Sequence, residues 1–185
     1  MKILLLASGG GSLAKAIVDA QIAGVEILGI LSDKDSPALE IARSSGIKDF
    51  YLPMISDRAL WNQGLIDQVE VLAPDLVVSV GFMRILSKEF ITRFKTINTH
   101  PALLPLYPGA HAVRDALADG ATKTGTTVHW VDEGVDTGPV IAQKELEIRS
   151  GEGEESLHER IKILERSLIV ETLTHFAQSG IPEAR

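Results

Sequence analysis

The chain opens with an apolar run that passes directly into a glycine-rich turn, and this pairing constrains the fold more than any other feature. Residues 3–7 read I-L-L-L-A, and residues 8–12 read S-G-G-G-S. Such a run is too short for a membrane helix, and no signal-peptide cleavage region follows it. We therefore predict a buried first strand, a tight turn and a helix, which is the opening unit of an α/β protein.

Short apolar runs alternate with helical patterns along the chain, without repeats or a low-complexity linker. The predicted strands are 2–7, 25–32, 49–52, 75–80, 95–100, 124–132 and 139–148. The predicted helices are 12–23, 37–45, 56–72, 87–94, 111–119 and 154–179. Ser36 followed by Pro37 marks a helix start, because serine caps free amides and proline suits the first helical position.

The order of these elements predicts the fold class. Strand–helix alternation over the first hundred residues indicates a Rossmann-like, mostly parallel sheet with helices on both faces. Two closely spaced strands after residue 120 indicate an antiparallel C-terminal pair. We expect an α/β fold with a mixed sheet, in a single domain spanning residues 1–185. Ligands of such sheets bind beyond the carboxyl ends of the strands.

Composition narrows the classes of function. The chain has no cysteine, which excludes disulfides, thiolate metal sites and a cysteine nucleophile. Its net charge of −7 argues against nucleic-acid binding, which needs a basic surface. We expect a cytoplasmic protein that binds neither nucleic acid nor membrane. A small anionic ligand remains compatible, because it responds to the local field of a helix start or a lysine.

The glycine-rich turn has three interpretations. Glycines allow backbone amides to approach a phosphate, and the helix start adds a favourable dipole. Gly9, Gly11 and Ala14 also satisfy the dinucleotide fingerprint, with Asp33 at the distance expected of the ribose-binding acid. A nicotinamide-dependent enzyme is therefore one alternative. A tight turn with no ligand is another.

A polar strand end is more specific. Asn98 and His100 are two residues apart on a predicted strand, so their side chains share a face, and Pro101 then ends the ladder. An amide and an imidazole together can hold a developing oxyanion, and the histidine can exchange a proton. Alternatively, the two groups brace the proline-rich loop that follows.

Asp136 is a candidate third partner. It lies between Gly134 and Gly138, in the loop that joins the last two predicted strands. A carboxylate there would pair with the imidazole and raise its pKa. An ordinary hairpin-turn aspartate is the alternative, and spacing alone does not bring Asp136 to His100.

The motifs I-N-T-H-P-A-L-L-P at residues 97–105 and V-D-T-G-P-V-I-A-Q at 135–143 resemble the phosphoribosylglycinamide formyltransferase family. The resemblance includes G-F-M-R-I-L-S at 81–87 and the turn at 8–12, and it extends over essentially the whole chain. It implies direct transfer of a formyl group from 10-formyltetrahydrofolate, as co-substrate, to the amine of 5-phosphoribosylglycinamide in de novo purine biosynthesis. It implies no covalent enzyme intermediate and no metal.

The same resemblance implies three groups of site residues. The catalytic residues would be Asn98, His100 and Asp136. The ribonucleotide would contact Gly11, Ser12, Leu13, Lys162 and Glu165, although many relatives have asparagine where this chain has Leu13. The formyl-folate would contact Arg58, Met83, Arg84, Ile85, Leu86 and Asn98, with the segment 83–86 using mainly its backbone. His129, His158 and His175 are left outside the site.

Other formyl-folate enzymes share the same catalytic residues. Formyltetrahydrofolate hydrolase and methionyl-tRNA formyltransferase carry additional domains, which the start and end of this sequence argue against, and the latter needs a basic surface. A non-catalytic nucleotide- or folate-binding module would bind without turnover. Some relatives are dimers, so a homodimer is one expectation for the oligomeric state.

Overall fold

A computed structural model describes residues 1–183 as one seven-stranded sheet surrounded by six helices. The strands are β1 (Lys2–Ala7), β2 (Glu26–Ser32), β3 (Asp49–Tyr51), β4 (Leu76–Ser79), β5 (Thr96–His100), β6 (Lys123–Trp130) and β7 (Val140–Glu147). The helices are α1 (Ser12–Ala20), α2 (Pro37–Ser44), α3 (Arg58–Leu72), α4 (Lys88–Arg93), α5 (Ala112–Ala118) and α6 (Glu154–Ser179). No helix in residues 1–183 has the length and apolarity needed to cross a membrane.

The sheet confirms the predicted mixed topology. Its strand order is β3-β2-β1-β4-β5-β6-β7, and the first five strands in this order are parallel. Strand β6 is antiparallel both to β5 and to β7, so a single reversed strand makes the sheet mixed. This reversal pairs Asn98 of β5 with His129 of β6.

Side-chain alternation along β1 divides the core into two layers. Ile3, Leu5 and Ala7 belong to the cluster formed with α1, α2 and α6 on one face of the sheet. Leu4 and Leu6 belong to the cluster formed with α3 and α4 on the other face. Successive strand residues point to opposite faces, so a strand that is apolar at every position must be covered on both sides.

Helix and strand ends differ from the prediction where the backbone turns. Helix α1 stops at Ala20 and not at residue 23, because Gln21 adopts a left-handed conformation with φ 43°. Strand β6 ends at Trp130, two residues early. Ser36 does precede α2, but its hydroxyl contacts that of Ser32 at 3.0 Å and makes no capping bond to the helix.

The central position of β1 predicts how the fold responds to a core cavity. Leu5 is fully buried, so Leu5→Ala should lower the free energy of unfolding by about 2–5 kcal/mol. Val71 on α3 is 81% exposed, and Val71→Ala should change it by less than about 0.5 kcal/mol. Urea denaturation of both variants tests this, and equal losses would contradict the two-layer core.

Candidate active site

A cleft of about 450 Å³ opens beside the polar end of β5. It is lined by segments from four parts of the chain: the loop after β4, the end of β5 with the loop that follows, the turn between β6 and β7, and the start of α6. The lining side chains include Met83, Arg84, Ile85, Leu86, Asn98, His100, His129, Asp136 and His158. The cleft therefore unites the predicted catalytic residues with most of the predicted folate-binding residues.

Asp136 is the common partner of the polar groups in this cleft. Its Oδ2 accepts a hydrogen bond from the Gly109 amide at 2.8 Å and lies 3.3 Å from His100 Nδ1. Its Oδ1 lies 3.4 Å from Asn98 Nδ2 and 3.5 Å from His129 Nε2. The predicted contact between Asp136 and His100 is confirmed, and both polar side chains of β5 meet the same carboxylate.

The loop between β6 and β7 holds Asp136 through local constraints. Asp136 has a φ of 57°, in the left-handed region that aspartate tolerates better than most residues. Asp132 accepts a hydrogen bond from the Gly134 amide at 3.0 Å, which tightens the turn. A Cβ at Gly138 would lie only 1.8 Å from the Trp130 carbonyl oxygen, so glycine is required there. These constraints direct the carboxylate back towards β5.

His100 is buried and has a fixed orientation. Its Nε2 donates to the Tyr107 carbonyl at 2.8 Å, which leaves Nδ1 on the side of Asp136. Burial lowers the pKa of His100 below its ordinary value, although the Tyr107 carbonyl and Asp136 oppose this. Asp136 does act to raise this pKa, as expected, but desolvation of the imidazolium outweighs the nearby carboxylate, so the net direction is downward.

His129 is a site residue that the sequence analysis left out. Its Nδ1 donates to the Trp130 carbonyl at 2.8 Å, so a neutral ring presents Nε2 as an acceptor. Asn98 Nδ2 lies 3.3 Å from that Nε2. With acceptors on both sides, His129 and Asp136, the amide of Asn98 directs its NH₂ group and not its oxygen towards them. His129 thus orients Asn98.

Asp136 keeps its negative charge despite being half-buried. Burial acts to raise its pKa, but the contact with His129, the hydrogen bond from the Gly109 amide and the charge of a nearby imidazolium outweigh it, and the pKa is lowered overall. The carboxylate is therefore ionised at neutral pH while the neighbouring His100 is largely neutral. Adjacent titratable groups whose pKa values are perturbed by burial and by each other are typical of sites that move protons.

The loop after β4 supplies the second wall of the cleft. Met83 and Ile85 expose 69% and 67% of their surface, which leaves two large apolar side chains available to a ligand. Leu86 is buried against α3 and α4. The Arg84 side chain pairs with Asp33. Arg58, predicted to contact the folate, donates to the Ile85 carbonyl and so contacts this loop.

The structure places the predicted ribonucleotide residues outside the cleft. Gly11 begins α1 with a φ of 71°, and a Cβ there would lie 2.7 Å from Ile41 and 2.8 Å from Ala38. Its identity is therefore explained by backbone conformation and packing. Ser12 is exposed, and Leu13 packs against the core beneath α1, which leaves its backbone amide as the group available to a ligand.

Lys162 and Glu165 lie further along α6, on the face that also carries His158. These three residues are spaced i, i+4 and i+7, which places them on one side of the helix. Lys162 Nζ contacts Glu159 at 2.7 Å. Burial raises the pKa of Glu165 to about 7, against the opposing influence of Lys162 and Arg166. His158 lines the cleft and was also missed, because a single histidine on a helix gives no signal by itself.

These features form a carboxylate–imidazole–amide cluster at the strand ends of an α/β sheet, and comparison with known proteins identifies the family. The chain belongs to the formyl transferase family, whose model matches residues 1–173.

Its relatives include phosphoribosylglycinamide formyltransferases. The chain is similar to phosphoribosylglycinamide formyltransferase of Mycobacterium tuberculosis, with 42% identity covering 97% of this chain and 86% of the relative. It is 38% identical to the Escherichia coli enzyme of the same name, over 98% of this chain and 89% of that one. Glycinamide ribonucleotide transformylase 1 from Symbiobacterium toebii superposes with a TM-score of 0.93 at 32% identity, covering 100% of this chain and 92% of that one.

The contact between Asp136 and His100 predicts how the pKa of His100 responds to a mutation, and this change can be measured without substrate. The charge of Asp136 favours imidazolium, so Asp136→Asn should lower the pKa of His100 further. Titration of the His100 ring protons by NMR measures this. Glu133→Gln removes a carboxylate from the same loop that pairs with Lys88, and it should leave His100 unchanged. A His100 pKa that stays constant or rises in Asp136→Asn would contradict the assigned contact.

Proposed function

We propose that this chain transfers the formyl group of 10-formyltetrahydrofolate to the glycinamide amine of 5-phosphoribosylglycinamide, in de novo purine biosynthesis. The observation that carries the proposal is the convergence of Asn98, His100 and Asp136 in one cleft, in a chain of the formyl transferase family. The exposed apolar side chains of Met83 and Ile85 suit a planar folate ring, and neighbouring backbone groups can satisfy its polar edges.

The reaction requires one bond to form and one to break at the formyl carbon. The substrate amine attacks this carbon, and the carbonyl oxygen becomes a tetrahedral oxyanion. The bond from carbon to the folate nitrogen then breaks, and the proton lost by the amine passes to that nitrogen. No covalent bond to the protein is needed, so the site must stabilise the oxyanion and direct one proton.

Asn98 and His100 are placed to stabilise the oxyanion. The NH₂ group of Asn98 is already directed into the cluster by His129 and Asp136, at contacts of 3.3–3.4 Å that are long enough to be exchanged for a better acceptor. His100 donates Nε2–H to the Tyr107 carbonyl, so once its ring is protonated, Nδ1–H can donate to the oxyanion. Donors that are fixed before the charge develops give the largest stabilisation.

Asp136 supplies the fixed negative charge that makes a protonated His100 favourable during the reaction. It is ionised and lies 3.3 Å from Nδ1. An imidazole that takes up a proton from solvent would be stabilised from two sides, by Asp136 and by the oxyanion, and would release that proton when the oxyanion collapses. Asp136 can then accept the proton of the attacking amine and return it, directly or through water, to the leaving nitrogen.

The ribonucleotide half of the site extends from the cleft along α6. His158 lines the cleft, whereas Lys162 and Glu165 continue the same helix face, and α6 packs against α1, at whose start Gly11, Ser12 and Leu13 lie. In this arrangement the phosphate would bind the free amides at the start of α1 together with Lys162. Glu165 would bind a ribose hydroxyl, since a carboxyl with a pKa of about 7 can accept or donate a hydrogen bond.

A direct assay tests the proposal. The protein is mixed with 10-formyltetrahydrofolate and 5-phosphoribosylglycinamide, and release of tetrahydrofolate is followed. We expect release that depends on the ribonucleotide. Release that continues without the ribonucleotide would indicate a hydrolase, and the absence of release with both substrates would contradict the proposal.

Asp136→Asn should abolish most turnover while preserving the fold. Loss of the charge that holds a protonated His100 should lower kcat by about 10²- to 10⁴-fold, the range typical of a general acid–base group. Glu133→Gln, in the same loop, should retain the wild-type kcat. Circular dichroism and thermal melts check that both variants are folded. A near-normal kcat in Asp136→Asn would remove this residue from the mechanism.

His158 should contribute to ribonucleotide binding. Loss of one neutral hydrogen bond in His158→Ala should raise the KM for 5-phosphoribosylglycinamide by about 3- to 10-fold and leave the KM for the folate within about twofold. His175→Ala makes the same change on an exposed part of α6, remote from the cleft, and should alter neither constant. An unchanged ribonucleotide KM in His158→Ala would show that the substrate does not follow this face.

A further inference from the structure

The acidic residue of the dinucleotide fingerprint, Asp33, is not available to a ribose. It directly follows β2, and its side chain is fully buried. Its Oδ1 accepts a hydrogen bond from the Ser8 hydroxyl at 2.5 Å, and its Oδ2 accepts one from Arg84 Nε at 2.6 Å. Both oxygens are therefore engaged within the protein, and the proposed formyl transfer assigns no task to this carboxylate.

The partners of Asp33 join three adjacent strand ends. Ser8 follows β1, and Arg84 lies in the loop after β4, so that a buried carboxylate at the end of β2 bridges both. Ser8 itself makes two further bonds to that loop. Its amide donates to the Gly81 carbonyl at 3.1 Å, and its hydroxyl accepts from the Met83 amide at 2.9 Å.

These bonds fix a segment that has no regular secondary structure. Three consecutive residues of the loop are each held once: Met83 at its amide, Arg84 at its guanidinium and Ile85 at its carbonyl, the last by Arg58. The segment between β4 and α4 lacks a helical or strand ladder, so these side-chain bonds determine where its backbone groups point.

We propose that Asp33 is a positioning residue for the folate-binding segment 83–86. It acts through the Arg84 side chain and the Ser8 hydroxyl, and it sets the distance of this segment from Asn98 across the cleft. This inference rests on the proposed function only in naming the folate as the ligand. The hydrogen bonds to Asp33 end on a buried carboxylate, and the one from Arg84 joins two charged groups, which makes them strong enough to order a loop.

Asp33→Asn provides the main test. The amide keeps the shape of the side chain but can no longer accept from both Ser8 and Arg84. We expect the KM for 10-formyltetrahydrofolate to rise about tenfold, with kcat and the ribonucleotide KM within about twofold. Asp49→Asn is a matched control, because Asp49 also pairs with an arginine Nε, that of Arg43 at 2.9 Å, on the exposed edge of the same sheet. Its constants should match those of the wild type.

A second variant tests the positioning role of Asp33 if Asp33→Asn fails to fold. Ser8→Ala removes the connection from Asp33 to the Met83 amide and leaves the pair with Arg84 intact. It should raise the folate KM by about threefold with little change in Tm. A lower Tm with unchanged KM values, in either variant that folds, would show a purely structural role and overturn the inference.

Failure of the positioning role can be distinguished from failure of the proposed formyl transfer. If the wild type does not turn over the two substrates, the proposed function fails. Calorimetric titration with a non-transferable folate analogue then compares wild type with Asp33→Asn and Ser8→Ala directly. Weaker binding by these variants would support the positioning role, whereas equal dissociation constants, or no binding to any of the three proteins, would overturn it.

Discussion

The candidate site depends on the reversal of one strand. Because β6 runs antiparallel to β5, His129 lies directly beside Asn98, and the loop that follows β6 returns Asp136 to both polar residues of β5. A parallel strand at this position would need a long crossover before the chain could come back to the same site. The reversal therefore allows a short loop to bring the carboxylate to the imidazole and the amide.

Backbone groups, more than side chains, then fix the geometry of the cluster. The Tyr107 carbonyl holds His100, the Trp130 carbonyl holds His129, and the Gly109 amide holds Asp136. Each ring therefore has one nitrogen committed to the backbone and one directed into the cluster. Backbone partners do not titrate, so they fix which ring nitrogen meets the substrate over a wide range of pH. This arrangement gives the site its order before any ligand binds.

The sequence predicted most of the fold because its strands are buried on both faces, as the unbroken apolar run of β1 illustrates. It also paired Asn98 with His100, since strand periodicity alone places both on one face. It did not identify His129, because this residue reaches the site only through the register of β6 against β5, which no local pattern encodes. Asp33 matched a fingerprint by spacing, whereas its real partners, Ser8 and Arg84, depend on the order of strands in the sheet.

The direction of the His100 pKa shows what a sequence argument omits. Pairing a carboxylate with an imidazole acts to raise the pKa, but burial acts in the opposite sense and prevails. For the proposed formyl transfer this direction would be favourable. A histidine that was already fully charged and satisfied by Asp136 would gain little when the oxyanion forms. In the proposed reaction, a largely neutral His100 beside an ionised Asp136 would become most favourable to protonate when a second negative charge develops next to it, so its stabilisation would be concentrated in the transition state.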